Sequence, residues 1–235
     1  MNIPQAQVIS EEFVEKLISK AYLEKFTISY AHKKHQILIE NNQDWLAKIY
    51  LPWNVTWSPN EGVVPNPDSH FSLVLIRAGQ SSVGYFHGGL LIDHKVFRAY
   101  MIRQKQGKSQ IKHLKTKGKS RAGSRIRLAE TERFFEEINE RLTSYANQFP
   151  IDFWGISCAK TMWPFYFSSE VAPPFSAKAE NLIELPMHIS QGSFEELNKA
   201  GELVQKFHLI LSEKGDLVFS KLNDKNPGAT SFEDW

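Results

Sequence analysis

Residues 71–103 read FSLVLIRAGQSSVGYFHGGLLIDHKVFRAYMIR and carry the strongest secondary-structure signal in the chain. Apolar residues dominate three short runs, and turn-forming residues separate the runs. The pattern predicts strands over residues 71–76, 82–92 and 95–103, joined by turns at residues 77–80 and at Asp93-His94. Connections this short favour an antiparallel meander, in which each strand pairs with the strand before it.

A strongly basic segment follows the meander. Residues 104–124 show no helical or strand periodicity, and an uncovered connection of that length inside a compact domain is usually functional. No acidic residue occurs between Asp93 and Glu130, whereas twelve lysine and arginine residues do, so the rest of the chain has sixteen basic against twenty-six acidic residues. Such charge separation is typical of a protein that binds a polyanion. A solvated lysine-rich loop is the alternative, but its twelve charges would repel one another.

The residues after the basic segment predict an alternation of helices and strands. Phe134, Phe135, Ile138, Leu142, Tyr145 and Ala146 form the apolar face of a helix of about 20 residues that ends near Gln148. A buried strand over 151–158 and an edge strand within 182–189 follow. Ser193 and Glu196 form a capping box for a helix that runs to Phe207, and 208–212 predict a final strand.

The order of elements predicts an α/β fold with a mixed sheet and helices on its faces. Upstream of the meander, residues 10–26 predict an amphipathic helix, 27–57 short strands, and 58–70 a linker rich in proline and glycine. We therefore expect an accessory region of helix and strands at 1–60, a catalytic domain at 71–212 with a basic loop at 104–124, and a polar tail at 213–235.

Two adjoining stretches resemble the signature of a known family. His94–Tyr100, followed by Arg103–Gln110, is similar to the signature of the VLRF (Vms-like release factor) family, whose members are related to the catalytic middle domain of eukaryotic and archaeal class-one peptide release factors. Gly107 and Gln110 match the family's Gly-x-x-Gln pattern, which draws its value from its position between a third meander strand and a long helix. Translational release factors carry Gly-Gly-Gln here, whereas Lys108-Ser109 precede Gln110, as in the Vms-like branch.

The resemblance implies an RNase H-like architecture and a role in translation quality control. A protein of this family is expected to hydrolyse the peptidyl-tRNA ester and so free nascent chains from stalled ribosomes, with Gln110 and Gly107 as catalytic residues. Its partners would be the large ribosomal subunit, peptidyl-tRNA and ribosomal RNA. A nuclease that trims the tRNA 3′ end and a non-catalytic RNA-binding or ribosome-associated module are the alternatives. The basic residues expected to contact RNA are Arg103, Lys105, Lys108, Lys112, Lys115, Lys117, Lys119, Arg121 and Arg125.

The chemistry of glutamine suits ester hydrolysis by positioning. The Gln110 side chain does not ionise, so it is a poor general base. Its amide can orient a water molecule, and its backbone N–H can donate to a developing negative oxygen. Gly107 lets the backbone approach RNA closely, since it has no side chain.

The aspartate and histidine side chains give weaker indications of a functional site. Asp93 and Asp152 lie near predicted strand ends and are candidates for a two-metal nuclease, but no set of three or four acidic ligands in a known order accompanies them. His32 and His35 have ligand-like spacing without a cysteine pair, so we place both on an exposed turn or strand. We expect no metal and no cofactor. His94 is expected to stabilise a turn through hydrogen bonds.

The cysteine content and the distribution of apolar residues indicate the cellular compartment. Cys158 is the only cysteine, which excludes an intramolecular disulfide and favours a reducing compartment. Its small and apolar neighbours predict a buried thiol. The first residues show no secretory signal, and no run of apolar residues is long enough for a membrane span. The sequence therefore predicts a cytoplasmic protein without membrane contact, and it indicates no oligomer.

Overall fold

A computed structural model describes residues 1–99 and 119–223, and for residues 119–131, Lys221 and Asn223 it describes the backbone alone. The described chain divides into two compact units. The central unit comprises Met1 and Asp68–Gly201, and the N-terminal unit comprises Asn2–Pro67 with the residues from Glu202 onward. The junction at Pro67 falls inside the predicted linker 58–70.

The central unit is built on a five-stranded mixed sheet. Its first three strands form the predicted antiparallel meander, β7 and β8 pairing first and β9 pairing with β8. Strand β10 lies parallel to β7 on its other side. Strand β11 lies parallel to β10 at the edge of the sheet, as predicted for the proline-containing stretch 182–189, although the strand itself ends at Glu184. These strands are β7 His70–Arg77, β8 Gln80–His87, β9 Leu90–Arg98, β10 Phe153–Ser157 and β11 Leu182–Glu184.

Helices cover both faces of this sheet. On one face, Val83, Tyr85 and Ile156 pack with the buried side of a long helix, α2, and with a short helix, α3. On the other face, the ring of Phe86 lies against Gly201 of helix α4, where a Cβ atom would come within 2.3 Å of it. The helices are α2 Lys119–Gln148, α3 Trp163–Phe167 and α4 Phe194–Leu203.

The N-terminal unit combines both ends of the described chain. Its five-stranded antiparallel sheet has the order β1-β12-β4-β3-β2, and β5 and β6 form a separate hairpin. Ser10 caps α1 by accepting the Phe13 N–H, as predicted. The elements are β1 Gln7–Ile9, α1 Glu11–Leu23, β2 Thr27–Ala31, β3 Gln36–Asn41, β4 Asp44–Tyr50, β5 Val55–Ser58, β6 Gly62–Pro65, β12 Phe207–Leu211 and α5 Glu213–Asn223.

The second turn of the meander does not lie where the sequence predicted it. Asp93 and His94 are inside β9, opposite Tyr85 and Gly84, and the chain reverses at Gly88-Gly89. Both glycines have positive φ, 54° and 84°, which is the backbone of a two-residue type I′ hairpin. The prediction was wrong because it read the glycines as part of a continuous strand.

Three further expectations differ from the structure. Helix α2 begins at Lys119, within the predicted loop 104–124. Ala146 of the predicted apolar face is exposed, whereas Phe149, the residue after the helix, packs on the core. The expected tail contains helix α5, which buries Phe219 completely. Strand β12 belongs to the N-terminal unit through its pairing with β1 and β4, although it falls within the range 71–212 predicted for the catalytic domain.

Candidate active site

The predicted site lies between the third meander strand and the long helix. Strand β9 ends at Arg98 and α2 begins at Lys119, so the Gly-x-x-Gln motif is in the segment that connects them. Lys119, Arg121 and Arg125 belong to the first turns of α2, of which only the backbone is described. The other predicted site residues lie outside the described residues: Arg103, Lys105, Gly107, Lys108, Gln110, Lys112, Lys115 and Lys117.

The start of the connecting segment is held by backbone hydrogen bonds. Arg98 pairs with Gln80, the first residue of β8, and the Ala99 N–H donates to the Gly79 carbonyl at 3.0 Å. The chain therefore leaves the sheet beside the first turn of the meander. This turn lies where the sequence predicted it, at residues 77–80.

Arg77 fastens the same end of the sheet. Its guanidinium donates to the carbonyls of Ile189 (2.6 Å), Ile76 (2.7 Å) and Ser157 (3.0 Å), and to the Ser157 hydroxyl (2.9 Å). These bonds tie β7 to β10 and to the chain that leads into α4. Burial lowers the pKa of Arg77 from its ordinary value, with Cys158 and Glu196 acting in the opposite direction. The sequence predicted only a turn at this arginine, and its role in the sheet was missed.

The loop before α4 packs closely on the meander turn. A Cβ atom on Gly192 would lie 2.6 Å from the carbonyl oxygen of Gln80, so only glycine fits there. The next residue, Ser193, accepts the Glu196 N–H at 3.3 Å, and the Glu196 carboxylate accepts from the Ser190 N–H. The predicted capping box is therefore present, although its carboxylate caps Ser190 and not Ser193.

The second half of α2 packs against the central sheet. Phe135, Ile138 and Leu142 are fully or almost fully buried against the sheet, as their spacing predicted. Arg141 pairs with Asp93 on β9 and lies over the ring of Tyr145 at 4.9 Å from its centroid. The second half of α2 is therefore packed directly on the meander.

The first half of α2 has an unusual charge pattern. No acidic residue occupies its first turn, and the first carboxylate after Asp93 is Glu130. A helix N-terminus carries partial positive charge, so lysine and arginine there are unfavourable unless an anion is close. This arrangement adds to the cationic character predicted for the segment.

His94 and Cys158 are packed within the central unit and have no place in the proposed chemistry. The His94 ring packs against Phe194 with centroids 4.5 Å apart, so it joins β9 to α4 and does not stabilise a turn. Cys158 is buried, as predicted, and burial raises the pKa of its thiol to about 11. A thiol with so high a pKa is a poor nucleophile.

The carboxylates proposed for a two-metal nuclease are engaged elsewhere. Asp93 pairs with Arg141, and Asp152 accepts the backbone N–H of His70 at 2.8 Å. Among the described side chains, the three-residue group with metal-ligand spacing is a different one, Asp68, His70 and His87. This group was not predicted, although Asp-x-His at the start of a strand is a signal that the sequence contains.

His32 and His35 do not share an environment. His32 is exposed, as expected, but His35 is 1% exposed, so the prediction for His35 was wrong. The ring is enclosed because His35 begins the turn into β3 and hydrogen-bonds inward to Pro52 and Tyr30.

The architecture defines a class of α/β protein in which a cationic Gly-x-x-Gln segment joins a three-stranded meander to a long helix. The chain belongs to the VLRF1 release factor family: the family model described as bVLRF1, Bacteroidetes VLRF1 release factor, matches residues 71–211. This match confirms the resemblance seen in the sequence and covers more than half of the chain.

A solved structure described as the Vms1 mitochondrial localization core is similar to 88% of this chain over 86% of its own length, with 13% sequence identity and a TM-score of 0.45. No curated protein matches the chain. In the described part of the chain, no helix combines the length and the apolar composition that crossing a membrane requires.

Proposed function

We propose that this protein is a ribosome-associated peptidyl-tRNA hydrolase that frees nascent chains from stalled ribosomes in the cytoplasm. The observation that carries the proposal is the family match across residues 71–211, within which Gly107-Lys108-Ser109-Gln110 falls between strand β9 and helix α2. Lys108-Ser109 in place of Gly-Gly favours rescue of stalled chains over termination at stop codons.

The sheet supports an RNase H-like catalytic domain. A meander of three antiparallel strands, extended by two strands parallel to the first, agrees with the architecture that the resemblance implies. In this proposal the catalytic domain is the part of the predicted range 71–212 that belongs to the central unit, and residues 1–60 are accessory.

Gln110 acts by positioning in the proposed reaction. Its side-chain amide orients the attacking water, and its backbone N–H donates to the oxygen that gains negative charge. The ribose hydroxyl of the tRNA and ribosomal RNA supply the remaining groups. Holding reactants in place accelerates a reaction greatly without an ionisable side chain.

The basic residues neutralise phosphates on the way to the ester. Lys108, Lys112, Lys115 and Lys117 lie in the connecting segment, and Lys119, Arg121 and Arg125 continue it into α2. RNA phosphates near the first turns of α2 would also relieve the unfavourable charge at the helix N-terminus. Binding is therefore expected to fall steeply with salt.

The test uses purified large ribosomal subunits that carry peptidyl-tRNA. Gln110→Ala is expected to lower release by about 100-fold, on the scale of removing one group that stabilises a transition state, while subunit binding is retained. Gln106→Ala is the matched control, because it removes the same side chain four residues away and is expected to keep full release.

The RNA product identifies the reaction. An intact terminal CCA accompanied by free peptide means ester hydrolysis, and a shortened end means that the protein is a nuclease. Equal release by the wild type, Gln110→Ala and a reaction without protein would leave a non-catalytic binding module and overturn the proposal.

A further inference from the structure

Three metal-binding side chains meet at the end of the central sheet where β7 begins and β8 ends. Asp68 precedes β7, and His70 and His87 face each other across the β7–β8 pair. The Nε2 atoms of His87 and His70 lie 2.7 Å and 3.8 Å from Oδ1 of Asp68. Since one ligand atom from each residue lies within 4.8 Å of the others, all three can reach one ion.

His70 is held in the orientation that a metal ligand needs. Its Nδ1 is hydrogen-bonded at 2.7 Å to the hydroxyl of Tyr85, which is 2% exposed. Its backbone N–H donates to the Asp152 carboxylate, and its carbonyl accepts the Asp152 N–H, both at 2.8 Å. Metal-binding histidines commonly hold their second ring nitrogen in such a bond, which fixes the ring and directs the other nitrogen to the ion.

We propose that Asp68, His70 and His87 form a binding site for a divalent transition metal ion, with Zn²⁺ as the reference ion. Two imidazole nitrogens and one carboxylate oxygen suit Zn²⁺, which then takes water as its fourth ligand. The site departs from the expectation of no metal and is independent of the release chemistry proposed for Gln110. It would fasten the start of β7 to the end of β8.

The present arrangement is close to a binding geometry but needs one movement. Ligand atoms around a tetrahedral Zn²⁺ stand about 3.4 Å apart, given bonds of about 2.0–2.1 Å, and the observed separations of 2.7 and 3.8 Å lie on either side of that value. The imidazole rings of His70 and His87 stack with centroids 4.2 Å apart and planes 7° from parallel. One ion cannot lie in both planes, so His87 must turn out of the stack.

The exposed side of the site allows this movement. The side chains of His87 and Asp68 are 42% and 82% exposed, whereas His70 is 14% exposed and is fixed by Tyr85. One ligand is therefore preset, and two can adjust.

The experiment measures Zn²⁺ binding to the full-length chain without an affinity tag. Calorimetric titration is expected to give one equivalent of Zn²⁺, and Co²⁺ in its place is expected to show the visible absorption of a low-symmetry site. Asp68→Asn and His87→Ala are expected to weaken binding at least tenfold, on the scale of changes around a metal site. Zn²⁺ should raise the Tm of the wild type more than that of Asp68→Asn at the same concentration.

His188→Ala is the matched control, because it removes an exposed histidine of the same unit outside the cluster. Circular dichroism checks that each variant is folded. If one of the two ligand variants does not fold, the Zn²⁺ affinity of the other still tests the site. Absence of Zn²⁺ binding by the wild type would overturn the proposal. Equal binding by the wild type, Asp68→Asn and His87→Ala would also overturn it.

Discussion

At the scale of single residues, His35 shows how burial selects one charge state. Its ring lies inside the N-terminal unit, where Nε2–H donates to the Pro52 carbonyl at 2.9 Å and Nδ1 is left to accept from the Tyr30 hydroxyl. Both bonds use the neutral ring. Burial is the main cause that lowers the pKa of His35 from 6.5 to about 4.

This shift predicts a loss of stability in mild acid. Above pH 6.5 both the folded and the unfolded states hold His35 neutral, but between pH 6.5 and about 4 only the unfolded state gains a proton. The free energy of unfolding should therefore fall by roughly 3 kcal/mol across this window from His35 alone. Urea unfolding at several pH values measures the fall.

His35→Asn should flatten that dependence, because asparagine tolerates the positive φ of 46° at this position and does not titrate. His188→Asn, at an exposed position, serves as the control and should keep the slope of the wild type. A slope unchanged in His35→Asn would contradict the assignment.

At the scale of elements, the β8–β9 hairpin depends on left-handed backbone at Gly88 and Gly89. His87 pairs with Leu90, so the two glycines alone form the loop. Gly88→Ala should lower the free energy of unfolding by about 1–2 kcal/mol, the cost of placing a Cβ atom in the left-handed region. The midpoint of chemical unfolding measures this loss.

Gly88→Asn is the matched variant for the hairpin. Asparagine is favoured at the first central position of a type I′ turn, so this change should cost clearly less than Gly88→Ala. Equal losses in the two variants would mean that φ is not what limits this position.

Much of the element order could be predicted from local signals. The Ser10 and Ser193 caps marked helix starts, and the apolar stripe through Phe135, Ile138 and Leu142 marked the buried side of α2. The position of the second hairpin was missed, because Gly-Gly inside an apolar run reads either as a turn or as a bulge. Only the pairing of β8 with β9 decides between these readings.

At the scale of the whole molecule, long-range pairing was beyond prediction. Strand β12 completes the sheet of the N-terminal unit by pairing with β4, more than 150 residues earlier in the chain. The sequence predicted a strand at 208–212, one residue away from the observed β12, but contained no information about its partner. The Asp68, His70 and His87 cluster was missed for a local reason: the predicted strand began at residue 71, whereas β7 begins at His70, which pairs with His87.

Charge separation is the property of the whole chain that the proposed function needs. Lys112, Lys115 and Lys117 lie in a stretch without acidic residues, whereas the rest of the chain has a net negative charge. Replacing these three lysines with glutamate should weaken binding to large ribosomal subunits and reduce the slope of log affinity against log salt by about 2–3 units, because roughly 0.7–0.9 counterions are released per phosphate contact.

A second triple variant separates local charge from net charge. Lys33, Lys34 and Lys178 are exposed and lie outside the basic segment, so replacing them with glutamate changes the net charge of the protein by the same amount. If the basic segment is the RNA contact, this variant should keep nearly the salt dependence of the wild type. Sedimentation with large subunits over a series of salt concentrations measures both variants, and equal slopes in the two would show that binding responds to net charge and would contradict a contact by the segment.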